Sequence, residues 1–423
     1  MILVDYATRN TERGFKLTEA GKIPEDWTVK LLPEVVNITN GKAHERFIVD
    51  HGQYIVVNSK FISTEGRVRK YTNRNFCPAN RGSILMVMSD LPNGKALAKC
   101  FLVDASDRYA INQRVCSFTS KKDVPGYLFY LLNRNPYFLQ FDDGVQQTHL
   151  LINVFKKCPI VVPPTVVEQS AIATSLSDVD ALINSLDRLI AKKRDLKQAA
   201  MQELLTGKRR LPGFSGEWRL RTLCQIGDIS GAGVDKKIHP GEILVRLVNY
   251  LDVYRRNFIY SKDLNHTVSA PAEQATRCSV KKGDIFFTPS SEVPNDIGIS
   301  AVAMEDIPDA AYSYHVVRLR LAEDWDLGYR AYAFKSRYFL EQAERLCEGS
   351  GIRYVITQAR FRQLTVLVPP TVQEQTAIGE VLYDMDLEIE TFEEKRKKTI
   401  ALKQGIMQEL LTGRIRLVEP SEQ

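Results

Sequence analysis

One segment of this chain occurs twice, and that repeat narrows the possible folds more than any other feature. Pro163-Pro164-Thr165-Val166-Val167-Glu168-Gln169 returns as Pro369-Pro370-Thr371-Val372-Gln373-Glu374-Gln375. Met201-Gln202-Glu203-Leu204-Leu205-Thr206-Gly207 returns as Met407-Gln408-Glu409-Leu410-Leu411-Thr412-Gly413. Both matches hold at one offset of 206 residues, so the stretch between them has the same length in each copy. Internal duplication is the frame into which everything else must fit.

Each copy reads as one long helix. Thr165-x-x-Glu168 and Thr371-x-x-Glu374 have the form of capping boxes, in which the hydroxyl accepts from an amide of the first turn and the carboxylate reaches back to the cap amide. Gly207 and Gly413 stand where a helix closes on a residue at positive φ. About 39 residues lie between, or roughly 58 Å of helix, which needs a partner. The seam supplies one. Apolar residues recur at 4-3 spacing through Ile172, Leu176, Val179, Ile183, Leu186 and Ile190, and again through Ile378, Leu382, Met385, Ile389 and Phe392. That period is a coiled coil's. Both helices begin acidic and end basic, from Glu168, Asp178, Asp180 and Asp187 to Lys192, Lys193, Arg194 and Lys197 in the first copy. Laid antiparallel, acid faces base. Towards the C-terminal halves the seam is taken by Lys193, Lys197, Arg396 and Lys403. Two readings stand for these: they fix register, or they mark where the pair opens to helices of another subunit.

The blocks outside the helices are weaker copies of one another. Trp27 matches Trp218 and Asn58 matches Asn249 at an offset of 191. Gly82-Ser83-Ile84-Leu85-Met86 matches Gly283-Asp284-Ile285-Phe286-Phe287, and Pro92-Asn93 matches Pro294-Asn295, at offsets near 201. Short β-branched runs at 54–58, 84–88, 115–119 and 158–162, with a helix at 125–133, make each block a mixed domain. The fold class is α+β: two mixed domains separated by two long helices that form an antiparallel coiled coil, with a pseudo-twofold repeat. The boundaries are 1–22, 23–162, 163–211 (central helix), 212–368, 369–417 (C-terminal helix) and a tail at 418–423. Leu17-Thr18 and Gly21-Lys22 faintly echo Leu205-Thr206-Gly207-Lys208, which would pack the segment 1–22 near the end of the C-terminal helix.

Composition excludes more than it assigns. With 26% charged and 44% hydrophobic residues the chain can build cores, and no run of 18 apolar residues would span a membrane. Met1-Ile2-Leu3-Val4-Asp5 does not resemble a signal peptide. Seven scattered cysteines without a Cys-x-x-Cys pair fit buried thiols in a reducing cytoplasm and argue against zinc. A net charge of +6 is compatible with a nucleic-acid partner without demanding one. No catalytic or metal constellation stands out. Asn135-Pro136-Tyr137-Phe138 has one proline too few for an amino-methylation motif, and Ser230-Gly231-Ala232-Gly233 lacks dinucleotide spacing. Gly94-Lys95-Ala96 and Gly207-Lys208-Arg209 lack the rest of a phosphate loop, and His44 and His51, loop or surface histidines, have no third ligand.

The paired Pro-Pro-x-x-x-Glu-Gln motifs, the paired Gln-Glu-Leu-Leu-Thr-Gly ends and the openings at Pro24/Trp27 and Pro212/Trp218 resemble the specificity subunits of type I restriction–modification systems over almost the whole chain. The resemblance implies two target recognition domains, each reading half of a bipartite site in double-stranded DNA, with the coiled coil setting the spacer and docking two modification subunits. It implies no catalytic residue, metal or cofactor in this chain. Adenine-N6 methylation from S-adenosylmethionine would lie in the modification subunits, and ATP- and Mg-dependent translocation and cleavage in motor/endonuclease subunits. Two alternatives are a stand-alone DNA methyltransferase, opposed by the missing catalytic motifs, and a coiled-coil scaffold without a DNA role, opposed by the diverged duplicate blocks.

For a DNA reader, backbone contacts position and base-edge contacts specify. Arg67, Arg69, Lys70 and Arg74 form a basic stretch around Tyr71, with Arg255 and Arg256 in the matching region of the second block; these suit phosphates or a solvated hairpin. Asn58 and Lys60, and Asn249, follow strands and either reach bases or form structural turns. Readout candidates are positions where the frame matches and the side chain differs. Asn112, Gln113 and Arg114 stand against Tyr314 and His315, Ser89 against Ser290 and Ser291, and Gln146 and Gln147 roughly against Arg353.

Overall fold

The computed structural model describes residues 14–91, 94–142 and 144–418. The readings of residues 1–13, of the Pro92-Asn93 match and of the tail at 419–423 lie outside the described residues. The chain divides into two units, one built from the residues up to Ser185 together with those from Lys395 onward, the other being Leu186–Glu394.

In the first unit the strand Ile84–Val87 is buried along its whole length. Alternate side chains of a strand point to opposite faces, so this run, apolar at every position, serves two cores. Ile84 and Met86 join Val36, Phe118 and Tyr127 on one side, while Leu85 and Val87 join Ile55, Val57, Phe61 and Ile111 on the other. Its sheet runs Cys100–Leu102, Ile84–Val87, Val115–Ser120, Val36–Asn40, all antiparallel. A second sheet sets Tyr109–Ile111 parallel to Tyr54–Val57 and adds Tyr71–Thr72 and Ile48–Val49. Thr28–Leu31 pairs antiparallel with Pro159–Val162, so the strands that enter and leave the block lie together at the root of the long helix. That helix, Val166–Leu204, gives Ile172, Ala173 and Leu176 to the first core, and Leu410 joins them from the second helix, Val372–Leu411.

The second unit repeats the plan. Ile285 and Phe287 face a core that includes Leu204, Leu205, Ile378 and Leu382, whereas Phe286 faces one with Val248 and Tyr312. Ile243–Val248 runs parallel to Ile307–Tyr312, and Arg219–Thr222 pairs antiparallel with Thr365–Val368.

The apolar seam residues of both long helices are all buried or half-buried. Ion pairs give the direction. In the first unit Glu168 meets Arg416 and Asp180 meets Lys403. In the second, Lys193 meets Glu388, Lys197 meets Asp386 and Arg210 meets Glu374. In each unit the partner number falls as the residue number rises, so the helical segments there run antiparallel. Lys193, Lys197 and Lys403 thus have acidic partners within the chain, which supports the register-fixing reading of these positions.

The caps need a correction. The Thr165 and Thr371 hydroxyls accept from the Glu168 and Glu374 amides at 3.2 and 3.3 Å, as a cap should. The carboxylates do not turn back to the cap amide. Both are buried and take two N–H donors each, Glu168 from Arg416 and Glu374 from Arg210. A guanidinium fork outcompetes a single backbone amide because it neutralises the buried charge as well as satisfying it.

Candidate nucleic-acid interface

Four tethers fasten each block to its helices, and they recur. Gln169 accepts from the Val124 amide and donates to Asp123, just ahead of the helix Pro125–Leu132; Gln375 accepts from the Asp326 amide, just ahead of Leu327–Arg330. Tyr130 donates to Asp180 at 2.9 Å and Tyr332 to Asp386 at 2.7 Å. Lys403 and Lys197, the cations bound to those carboxylates, lie 5.4 Å from the centres of the Tyr130 and Tyr332 rings. Arg416 and Arg210 likewise lie against Trp27 and Trp218, 5.7 and 5.8 Å from the ring centres, and Arg416 also binds Asp26. Asp26, Tyr130, Tyr332, Arg210 and Arg416 were missed on the sequence, although Arg210 and Arg416 continue the 206-residue repeat just beyond its glycines. Their effect is to hold each block on its helices through bonds to side chains that packing already fixes.

The candidate readout residues gather where the parallel strands end. In the first unit the chain leaves Tyr54–Val57 at Asn58 and Tyr109–Ile111 at Asn112, and the Asn112 amide donates to the Val57 carbonyl. In the second it leaves at Asn249 and Ser313, and the Ser313 amide donates to the Val248 carbonyl. Gly41 and Gly233 make room beneath these loops. A Cβ on Gly41 would lie 2.1 Å from the Asn112 carbonyl oxygen, and one on Gly233 would lie 2.3 Å from the Ser313 carbonyl carbon. Ser230-Gly231-Ala232-Gly233, no cofactor fingerprint, thus includes a packing glycine.

The asparagines are committed to structure. Asn58 caps the helix Ser59–Ser63 by accepting from the Phe61 amide at 2.9 Å. At the head of Tyr250–Tyr254 the Asn249 amide donates to the Asp252 carboxylate at 2.9 Å, and the Asn249 side-chain amide donates to the Leu247 carbonyl at 3.3 Å. Asn112 is buried and donates to Glu45 at 2.8 Å. Burial alone would raise the Glu45 carboxyl, but hydrogen bonds from Asn112, the backbone and Gln113 outweigh it and hold the group below its ordinary value. What these bonds leave facing outward is Gln113 and Arg114 in one unit, Tyr314 in the other, and His315 half-buried beside it.

Short ladders, in a two-stranded sheet in the first unit and in a three-stranded one with Glu348–Ser350 in the second, then bring distant candidates together. Thr148–His149 pairs with Ser89–Asp90, and Arg353–Val355 pairs with Ser290–Ser291. Gln147 donates to the Ser89 hydroxyl at 2.8 Å, and Arg353 donates to the Ser290 hydroxyl at 3.0 Å. Arg353 also reaches His315 Nδ1 at 3.3 Å. A guanidinium can only donate, so Nδ1 is the acceptor in that contact; burial, and then the charges of Lys236 and Arg353, lower the His315 pKa against the opposing pull of Asp235. Ser89, Gln147, Gln113 and Arg114 thus share one neighbourhood, and Ser290, Arg353, Tyr314 and His315 the other. Ser291 partners Tyr250, and Gln146 lies beside Gln147 on the exposed approach to the ladder.

The basic stretches differ between units. Arg67, Arg69, Lys70 and Arg74 are exposed. Arg67 and Arg69 are braced by their Nε atoms on the Thr64 and Gly66 carbonyls, and Arg74 lies 4.6 Å from the Phe47 ring centre. In the second unit Arg255 is exposed, while Arg256 is paired with Asp252 and Asp263. Both line an open groove of about 630 Å³ with Lys236, Asn249 and His266. Lys60 is exposed on the helix that Asn58 caps.

The motifs set aside on the sequence have structural duties, and His44, expected in a loop or at the surface, is not at the surface. His44 is buried; Nδ1 donates to the Lys42 carbonyl and Nε2 accepts from the Phe76 amide. Asn135 caps the helix Pro136–Leu139. Among the described residues there is no group of three metal-ligating side chains, and no helix is long and apolar enough to cross a membrane.

Comparison with known proteins places this geometry. The family model described as the type I restriction modification DNA specificity domain matches residues 24–193 and 216–402, once per repeat. The specificity subunit of type I restriction enzyme MjaVIII from Methanocaldococcus jannaschii is 25% identical, over 96% of this chain and 97% of that protein. The specificity subunit of the putative type I restriction enzyme MjaX, from the same organism, is 22% identical, with the same coverage. Among solved structures, the S subunit of a type I restriction–modification system from M. genitalium superposes with a TM-score of 0.56 at 16% identity, over 93% of this chain and 97% of that one.

Proposed function

The chain belongs to the type I restriction modification DNA specificity family, and from that premise we propose that it is the sequence-reading subunit of a type I restriction–modification complex. Each unit reads one half of a bipartite duplex target, and the paired helices set the spacer. Two modification subunits place methyl groups from S-adenosylmethionine on adenine N6, and motor/endonuclease subunits use ATP and Mg to restrict unmodified DNA. This chain contributes no catalytic group, binds no cofactor and works in the cytoplasm. Phosphate contacts fall to Lys60, Arg67, Arg69, Lys70, Arg74, Arg255 and Arg256. Base edges fall to side chains displayed around the parallel-strand ends and the short ladders.

One observation carries the reading: a single backbone frame appears twice, with the same buried serine at its ladder and a different planar polar side chain over it, Gln147 in one copy and Arg353 in the other. A scaffold gains nothing from that divergence, whereas a reader of two unlike half-sites requires it. The test is to express the chain with its modification subunits and map methylated adenines. A motif of two unlike halves around a fixed gap is expected; one uninterrupted motif would count against the proposal. Methyl transfer from labelled S-adenosylmethionine by the purified chain alone would overturn the noncatalytic assignment.

A further inference from the structure

We propose that positions 147 and 353 are the matched base-reading positions of the two units, Gln147 selecting adenine and Arg353 selecting guanine at the equivalent step of each half-site; this rests on the reading of the chain as a specificity subunit.

The equivalence is topological. In the first ladder His149 stands opposite Ser89, and in the second Val355 stands opposite Ser290. The residue two places before each is Gln147 and Arg353, and both bond the hydroxyl of the serine concerned. Those serines are buried, at 3% and 7% exposure, while the side chains above them are exposed. The neighbourhood is rigid on the opposite side too. In the first unit the Met88 amide donates to the Arg114 carbonyl at 2.9 Å and the Leu150 amide to the Met88 carbonyl at 2.8 Å. In the second the Ile356 amide donates to the Pro289 carbonyl at 2.9 Å, and His315 steadies the guanidinium.

The chemistry follows from the side chains. Glutamine and arginine both end in a flat group able to make two parallel hydrogen bonds, glutamine matching adenine N6 and N7 and arginine matching guanine O6 and N7. A long side chain would ordinarily lose rotamer freedom on docking to a base edge. The serine bond removes part of that loss beforehand. It occupies one amide hydrogen of Gln147 and leaves the carbonyl oxygen and the second hydrogen. In Arg353 both bonds fall on Nη2, and either two-donor edge of a guanidinium includes that nitrogen; guanine takes the hydrogen now given to His315 Nδ1, with Nε or Nη1 as the second donor, while the serine bond stays. A mere hairpin fastener would require the bond to serine and nothing of the second hydrogen-bonding atom.

The experiment maps methylated adenines in cells carrying the full complex with wild-type chain, Gln147→Arg, Arg353→Gln, Gln147→Ala or Ser89→Ala. Gln147→Arg should convert one adenine of one half-site to guanine and leave the other half unchanged, with a preference on the order of 10- to 100-fold. Arg353→Gln should make the reciprocal change in the other half. Gln147→Ala, a truncation at an exposed residue, should relax that single position, and Ser89→Ala should weaken discrimination there without changing the preferred base. An unaltered motif in the exchange variants, or equal loss of both halves in complexes that assemble, would overturn the inference while leaving the subunit reading intact. A wild-type complex with no bipartite motif would overturn the subunit reading, and the inference with it.

Discussion

Glu168 and Glu374 are carboxylates that water does not reach, and each is matched by an arginine that follows the other helix. Breaking such a pair from one side strands a buried charge. Arg416→Ala should therefore cost about 3–5 kcal/mol of stability, and Arg416→Ala combined with Glu168→Gln should recover part of it; urea denaturation of the full chain measures both. An Arg416→Ala chain as stable as wild type would mean that the carboxylate finds water or takes a proton. The sequence contains both arginines at the repeat offset, but an arginine three places beyond a closing glycine reads as a solvated tail, because nothing local reveals the distant carboxylate. Lys335 makes a second residue-scale case. Burial, and then the charge of Lys197, push its ammonium down to about 7 despite the attraction of Asp386. Above that pH the folded chain has shed a proton that the unfolded chain keeps until the ordinary lysine value, so the unfolded state binds more protons and stability rises with pH. Below it both states are charged and the full cost of burial is carried. Lys335→Met should flatten the rise in urea midpoint from about pH 7 towards pH 9, and an unchanged slope would show that another group titrates there.

At the scale of elements, long-period features are the readable ones. The two helices are legible because Ile172 to Ile190 and Ile378 to Phe392 keep one spacing, and the block strands because 54–58, 84–88 and 115–119 are apolar runs; the structure places strands at Tyr54–Val57, Ile84–Val87 and Val115–Ser120. The ladders carrying Gln147 and Arg353 show no such signal. Ser89–Asp90 and Thr148–His149 are two residues each, too short for any periodicity, and they meet across 58 residues of chain. Only the repeat pointed there, by matching position against position. The helices also permit a test of the spacer. One heptad inserted after Ser185 and another after Glu394 keeps the seam on its face and adds about 10 Å of helix. The gap between half-sites should lengthen by about three base pairs with both half-sequences intact, as read from methylated adenines. Altered half-sequences would count against helices that act only as a spacer.

For the molecule as a whole, duplication makes recognition modular. Each unit has its own pair of cores and its own tethers, and each arginine clamp closes within one unit. Replacing residues 23–162 by the corresponding block of another family member should thus change one half-site and spare the other, with adenine mapping as the readout; changes in both would refute modularity. The two units nevertheless differ in how the chain assembles them. The second is one uninterrupted stretch, Leu186–Glu394, whereas the first is completed by the residues from Lys395 onward. A ribosome delivers the chain from its N-terminus, so Glu168 is synthesised nearly 250 residues before its cation Arg416. The half that is begun first is finished last, and a nascent chain holds a complete second reader while the first still waits for its closing strap.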